Sequence, residues 1–122
     1  MPIKFVTKSV HAWLDYPVAL ALITLPFVLG LGAGHPMAFW LSLATGSAAL
    51  ALTVLTDHQF GLIRVIPYPV HMAVDLLVGV TFLAAPLLFG FAGIEAAYYI
   101  LNGAAVCVVI ALHKPEGNAA PA

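Results

Sequence analysis

Two pairs of residues stand out in an otherwise apolar chain: His11 with Asp15, and His71 with Asp75. In each pair the residues are four apart, so on a helix both side chains share one face, with the carboxylate about one turn further along than the imidazole. Three kinds of chemistry use such a set. A histidine hydrogen-bonded to an aspartate, along its own helix or across to a neighbour, satisfies both groups and pins helices in register. Two facing imidazoles, His11 and His71, could ligate a haem iron, with an aspartate or a backbone carbonyl orienting each ring. Joined by Asp15 and Asp75 they could instead hold a divalent metal. The same groups could also relay protons, since histidine titrates near neutrality. Of these, the internal polar clamp is the reading we favour. Asp57 and His58, at the end of the second apolar segment, and Asn102, in the middle of the fourth, are further polar residues that could add to a site.

The elements that must position these groups follow from length and charge. The chain has 122 residues, of which 63% are hydrophobic and 7% charged, a balance that points to an integral membrane protein rather than a soluble domain. Four Lys+Arg against five Asp+Glu leave a net charge of -1 and no basic face, so nucleic acid is not an expected partner. The single cysteine, Cys107, excludes a disulfide framework within the chain. No Asp, Glu, Lys or Arg occurs between Asp15 and Asp57, which leaves room for two helices of the roughly 20 residues needed to cross about 30 Å of hydrocarbon. Gly30, Gly32, Gly34 and Pro36 mark the turn between them. We therefore expect helices over about Ser9–Leu31 and Pro36–Thr56, a polar loop over Asp57–Pro69, and helices over about Val70–Phe91 and Ile94–His113.

The second half of the chain repeats the first. A shift of 60 residues lays Val10, His11, Asp15, Val18, Pro26 and Gly30 on Val70, His71, Asp75, Val78, Pro86 and Gly90. Coincident His, Asp, Pro and Gly in one order are hard to obtain by chance. The second helices align at a shift of 57, with Thr45-Gly46 on Asn102-Gly103. The expected fold is thus all-α: a polytopic four-helix membrane bundle built from two parallel-repeat hairpins. As a single membrane domain, 1–122, it divides into hairpin repeat 1 (about 4–56), a loop (57–69), hairpin repeat 2 (70–113) and a polar tail (114–122). Lys4, Lys8, Arg64 and Lys114 all fall at one end, which predicts both termini and the central loop on the cytoplasmic side of a bacterial inner membrane. A cleaved signal peptide is the competing reading of the first helix, and that helix's counterpart later in the chain argues for its retention. Trp13, Tyr16, Trp40, Tyr68, Tyr98 and Tyr99 fall near helix ends, where interfacial aromatic belts lie, and His35 and His113 read as surface residues.

The stretch from about Asp75 to Leu112 resembles the bacterial SPW repeat family, whose two-helix unit carries a Pro-aromatic step near the end of its first helix and then a Gly-Phe turn. Here the step reads Ala85-Pro86-Leu87-Leu88-Phe89-Gly90-Phe91, and in the first unit Leu25-Pro26-Phe27-Val28-Leu29-Gly30. The Ser-Pro-Trp triplet itself is absent from both copies. The resemblance implies an architecture and no chemistry. No nucleophile, phosphate loop or zincin motif points to an enzyme. The expectation is a non-catalytic accessory or structural subunit, with the lipid bilayer and a larger membrane complex or a homo-oligomer as partners. Its alternatives are a haem- or metal-binding protein and a proton-coupled carrier or channel.

Overall fold

The computed structural model describes residues 6–57 and 60–113. Four helices follow one another: α1 Lys8–Val28, α2 Pro36–Leu55, α3 Tyr68–Phe89 and α4 Gly93–Ala111. All four are long and apolar enough to cross a membrane, and no strand occurs among the described residues beyond two isolated bridges.

Local chemistry sets the helix ends. Thr7 caps α1, its hydroxyl oxygen accepting from the backbone N–H of Val10 at 3.1 Å. His35 does the same for α2 through Nδ1, which accepts from Met37 N–H at 3.0 Å, just before a proline at the first helical position. Helix α1 stops at Val28 rather than Leu31, because the chain closes back on the proline, Leu31 N–H donating to Pro26 O at 2.9 Å. The repeat ends α3 in the same manner, with Phe91 N–H donating to Pro86 O at 3.0 Å after Gly90 in the left-handed region. Helix α3 begins two residues before Val70, since Pro69 is tolerated in a first turn.

The helices pair as α1 with α2 and α3 with α4. Small residues let the backbones meet: a Cβ on Gly46 would lie 2.9 Å from Ile23 N, and one on Gly103 would lie 2.8 Å from Gly79 O. The two hairpins are then joined crosswise. Val6 N–H donates to Leu112 O at 3.0 Å, and Ile66 N–H donates to Leu55 O at 2.8 Å. The lead-in to each hairpin thus pairs with the exit of the other, and residues related by the 60- and 57-residue shifts make matching bonds. Both hairpins consequently run the same way, with the starts of α1 and α3 at one end. Toward the opposite end a core of Leu22, Leu31, Ala38, Phe82, Ala85, Phe91, Tyr98 and Tyr99 fills the space between them.

Candidate functional site

The crosswise pairing brings the first turns of α1 and α3 together, and with them the two His/Asp pairs. His11 Nε2 lies 3.2 Å from Asp15 Oδ1 on its own helix and 3.0 Å from Asp75 Oδ2 on the other. His71 Nε2 lies 3.2 Å from Asp75 Oδ2 and 3.2 Å from Asp15 Oδ2. Each imidazole therefore faces both carboxylates, and each carboxylate faces both imidazoles. The side chains of His11 and His71 are only 5% and 1% exposed, so the quartet is an internal feature and not a rim of solvated charges.

A further partner braces one ring. His71 Nδ1 is 2.7 Å from Thr56 Oγ1, at the end of α2, and that hydroxyl donates to Leu52 O at 2.5 Å. A threonine hydroxyl has one proton, so toward His71 its oxygen accepts and Nδ1 carries the hydrogen. The 57-residue shift puts His113 in the place of Thr56, and the His113 ring indeed stands edge-on to His11 with centroids 5.6 Å apart. His113 is accordingly a neighbour of the quartet and not a bystander at the surface. Nothing in residue type signals this role, because its repeat counterpart is a threonine.

The quartet borders a cavity of about 370 Å³ between the hairpins, to which all four helices contribute. Its walls are largely apolar, with Thr45, Thr53 and Asn102 the polar residues beyond the quartet. Asn102 is half-buried and spends its amide on its own helix, Nδ2 donating to Tyr98 O at 2.7 Å. Asp57 is exposed and lies outside the group of four; its backbone N–H donates to Ile66 O at 2.8 Å. His58 lies outside the described residues.

At the other end of the bundle the structure assigns work to a residue that spacing does not flag. Glu95, in the first turn of α4 and 5% exposed, reaches across to the α1–α2 turn. Its Oε2 accepts from Gly32 N–H at 2.7 Å and Gly34 N–H at 3.2 Å, and its Oε1 accepts from His35 N–H at 3.0 Å. Two tyrosines follow it inward: Tyr99 OH donates to Ala38 O at 2.6 Å, and Tyr98 OH bonds Ser42 Oγ at 2.5 Å. Both rings are buried, as is Tyr68, so these three tyrosines do not belong to an interfacial belt. The hydroxyls of Tyr98 and Tyr99 find partners inside the protein, whereas Trp13 and Trp40 stay 63% and 59% exposed. The helices are apolar on nearly every face, which leaves the rotation that buries these rings unmarked in sequence.

The SPW repeat domain family model matches residues 9–113, which takes in all four helices but the first residue of α1. No curated protein and no solved structure matches the chain.

Proposed function

This chain belongs to the SPW repeat family, and we propose that it is a non-catalytic accessory or structural subunit of a larger membrane assembly, or of a small homo-oligomer, with the His/Asp quartet as its internal clamp. The observation that carries the clamp is the doubly bridged geometry, in which every imidazole touches a carboxylate from each hairpin. Four ionisable groups would be costly against lipid, and mutual pairing offsets that cost. The subunit role draws on the surface: large apolar side chains such as Leu20, Phe27, Leu77, Leu87 and Leu88 point outward, so lipid and partner helices are what the molecule can meet. Lys8 and Arg64 lie at the quartet end, which supports a cytoplasmic location for that end in a bacterial inner membrane. The single membrane domain then divides as two hairpins about the 57–69 loop.

Extraction in mild detergent followed by light scattering tests the subunit reading. A stoichiometric membrane partner or a defined oligomer of this chain is expected; a lone monomer at all detergent concentrations argues against it. Of the cofactor readings, haem has the less support, because a porphyrin between the two imidazoles would need the space where Asp75 Oδ2 sits 3.0 and 3.2 Å from their Nε2 atoms. A proton-coupled carrier or channel is the second reading, supported by the cavity beside the quartet. Vesicles with an internal pH dye check it: proton flux that survives Asp15→Asn with Asp75→Asn removes the quartet from the path.

A further inference from the structure

The hydrogen bonding around His71 imposes a condition on the quartet. With the Thr56 hydroxyl donating to Leu52 O, the Nδ1 of His71 is the protonated nitrogen. Nε2 then points at two carboxylate oxygens, each 3.2 Å away. A bare lone pair in that position would repel both, so a positive charge belongs between them. A proton on each imidazole meets the condition. One dication shared by all four side chains meets it equally well, since two neutral imidazoles, two carboxylates and one dication also sum to no net charge in apolar surroundings.

The spacing suits the dication. His11, Asp15, His71 and Asp75 each offer one ligand atom, and these atoms all lie within 4.8 Å of one another. A tetrahedral ion with bonds of about 2.0–2.1 Å separates its ligand atoms by about 3.3 Å. Asp75 Oδ2 lies 3.0 and 3.2 Å from the two Nε2 atoms, and Asp15 turns Oδ1 to His11 and Oδ2 to His71, each at 3.2 Å, so the nitrogen–oxygen separations are already close to that value and the ion would take one of the two Asp15 oxygens. Calcium and magnesium take oxygen ligands, while a pair of imidazoles selects a transition metal. Thr56 holds the His71 ring in the tautomer that frees Nε2, as partners of metal-bound histidines commonly do. His113 stands at the matching place beside His11, whose own Nδ1 is buried with no hydrogen-bond partner among the described residues. The cavity between the hairpins lies directly beside these four side chains.

We propose that His11, Asp15, His71 and Asp75 form a four-coordinate site for a divalent transition-metal ion, zinc by preference, that bridges the two hairpins, with Thr56 as a positioning residue. The proposal uses the quartet of the clamp reading but does not depend on the subunit role.

The test uses the full chain in detergent, stripped with a chelator and then titrated with zinc and, separately, with cobalt. Saturable uptake of about one zinc per chain is expected, with cobalt showing the intense visible bands of tetrahedral coordination. Asp75→Asn and His71→Gln should weaken zinc binding by at least about tenfold, and Thr56→Val by about tenfold with a shifted cobalt spectrum. Asp57→Asn, an exposed carboxylate outside the quartet, should leave binding unchanged. The proposal is overturned if the stripped wild type takes up no zinc saturably, if cobalt gives only the weak bands of octahedral surface binding, or if folded Asp75→Asn binds as the wild type does. Should Asp75→Asn not fold, the wild-type cobalt spectrum and its response to Thr56→Val decide alone. Thermal stability of the stripped protein reports on the clamp separately, so loss of one reading does not take the other with it.

Discussion

The two ends of the bundle solve one problem with different chemistry. Each must join hairpins that pack well internally and share few close backbone approaches with each other. At the Glu95 end a single carboxylate crosses the gap and accepts from three backbone N–H groups. Those donors come with the turn's geometry and cannot be exchanged for anything else. The carboxylate is satisfied within the protein, and the neighbouring space is filled by Phe82, Phe91, Tyr98 and Tyr99. At the quartet end four side chains from two hairpins face one another, and the space beside them is open. On the metal-site proposal, the imidazoles there trade a proton for an ion. The first arrangement can only hold; the second can hold and, on that proposal, also bind.

Removing Glu95 should therefore cost most. Glu95→Ala leaves three donors of the α1–α2 turn without their acceptor, and unmade bonds of this kind cost about 1–3 kcal/mol each. A loss of about 3 kcal/mol or more is expected in reversible unfolding in detergent. Glu95→Gln, which keeps two acceptor sites on one oxygen, should lose less. If both variants melt with the wild type, the Glu95 end is no latch and the contrast between the ends collapses.

Asp75→Ala comes next, at about 2 kcal/mol in metal-free detergent, because it strips both imidazoles of one charged hydrogen-bond partner while Asp15 remains. The sharper measurement is a pair of double-mutant cycles. Asp15 and Asp75 share partners, so their losses should be non-additive by about 0.5–3 kcal/mol, whereas Asp75 and Glu95 should add within about 0.5 kcal/mol. Strong coupling between Asp75 and Glu95 would mean that the two ends act as one unit.

Much of this contrast is readable in sequence at one end only. The quartet is visible because the repeat copies its residue types, and the four helices are visible because apolar runs of membrane length are separated by charge, glycine and proline. The end of α1 at Val28 is harder to see, since it depends on which carbonyl Leu31 finds. Glu95 is invisible for a different reason. Its partners are backbone N–H groups, which leave no trace in residue identity, and a lone acid beside a turn reads as solvated. His113 is hidden by divergence, a histidine where the other repeat has Thr56. The buried tyrosines are hidden by uniformity, since a helix apolar on most faces does not declare which face turns inward.

Tyr98→Phe probes the Glu95 end more gently. It removes the hydroxyl that bonds Ser42 Oγ, while Ser42 keeps its bond to Leu22 O at 2.8 Å. Interhelical hydrogen bonds in membrane proteins average about 0.6 kcal/mol, and a loss of that order is expected in thermal melts. The cavity should be untouched, since neither Tyr98 nor Ser42 lines it.

An effect of similar size should follow Thr56→Val, and it tests the quartet end most selectively. Valine keeps the shape of the side chain but takes away the acceptor for His71 Nδ1–H, at a cost of about 0.5–1 kcal/mol. His71 gains freedom to adopt the other tautomer or to rotate, while His11, braced beside His113 on the opposite side, keeps its surroundings. Nitrogen-15 spectra of the imidazoles should then show a changed His71 signal beside an unchanged His11. Equal changes in both would mean that the two imidazoles share one hydrogen-bonded unit through the carboxylates, and that Thr56 orients the whole quartet rather than one ring.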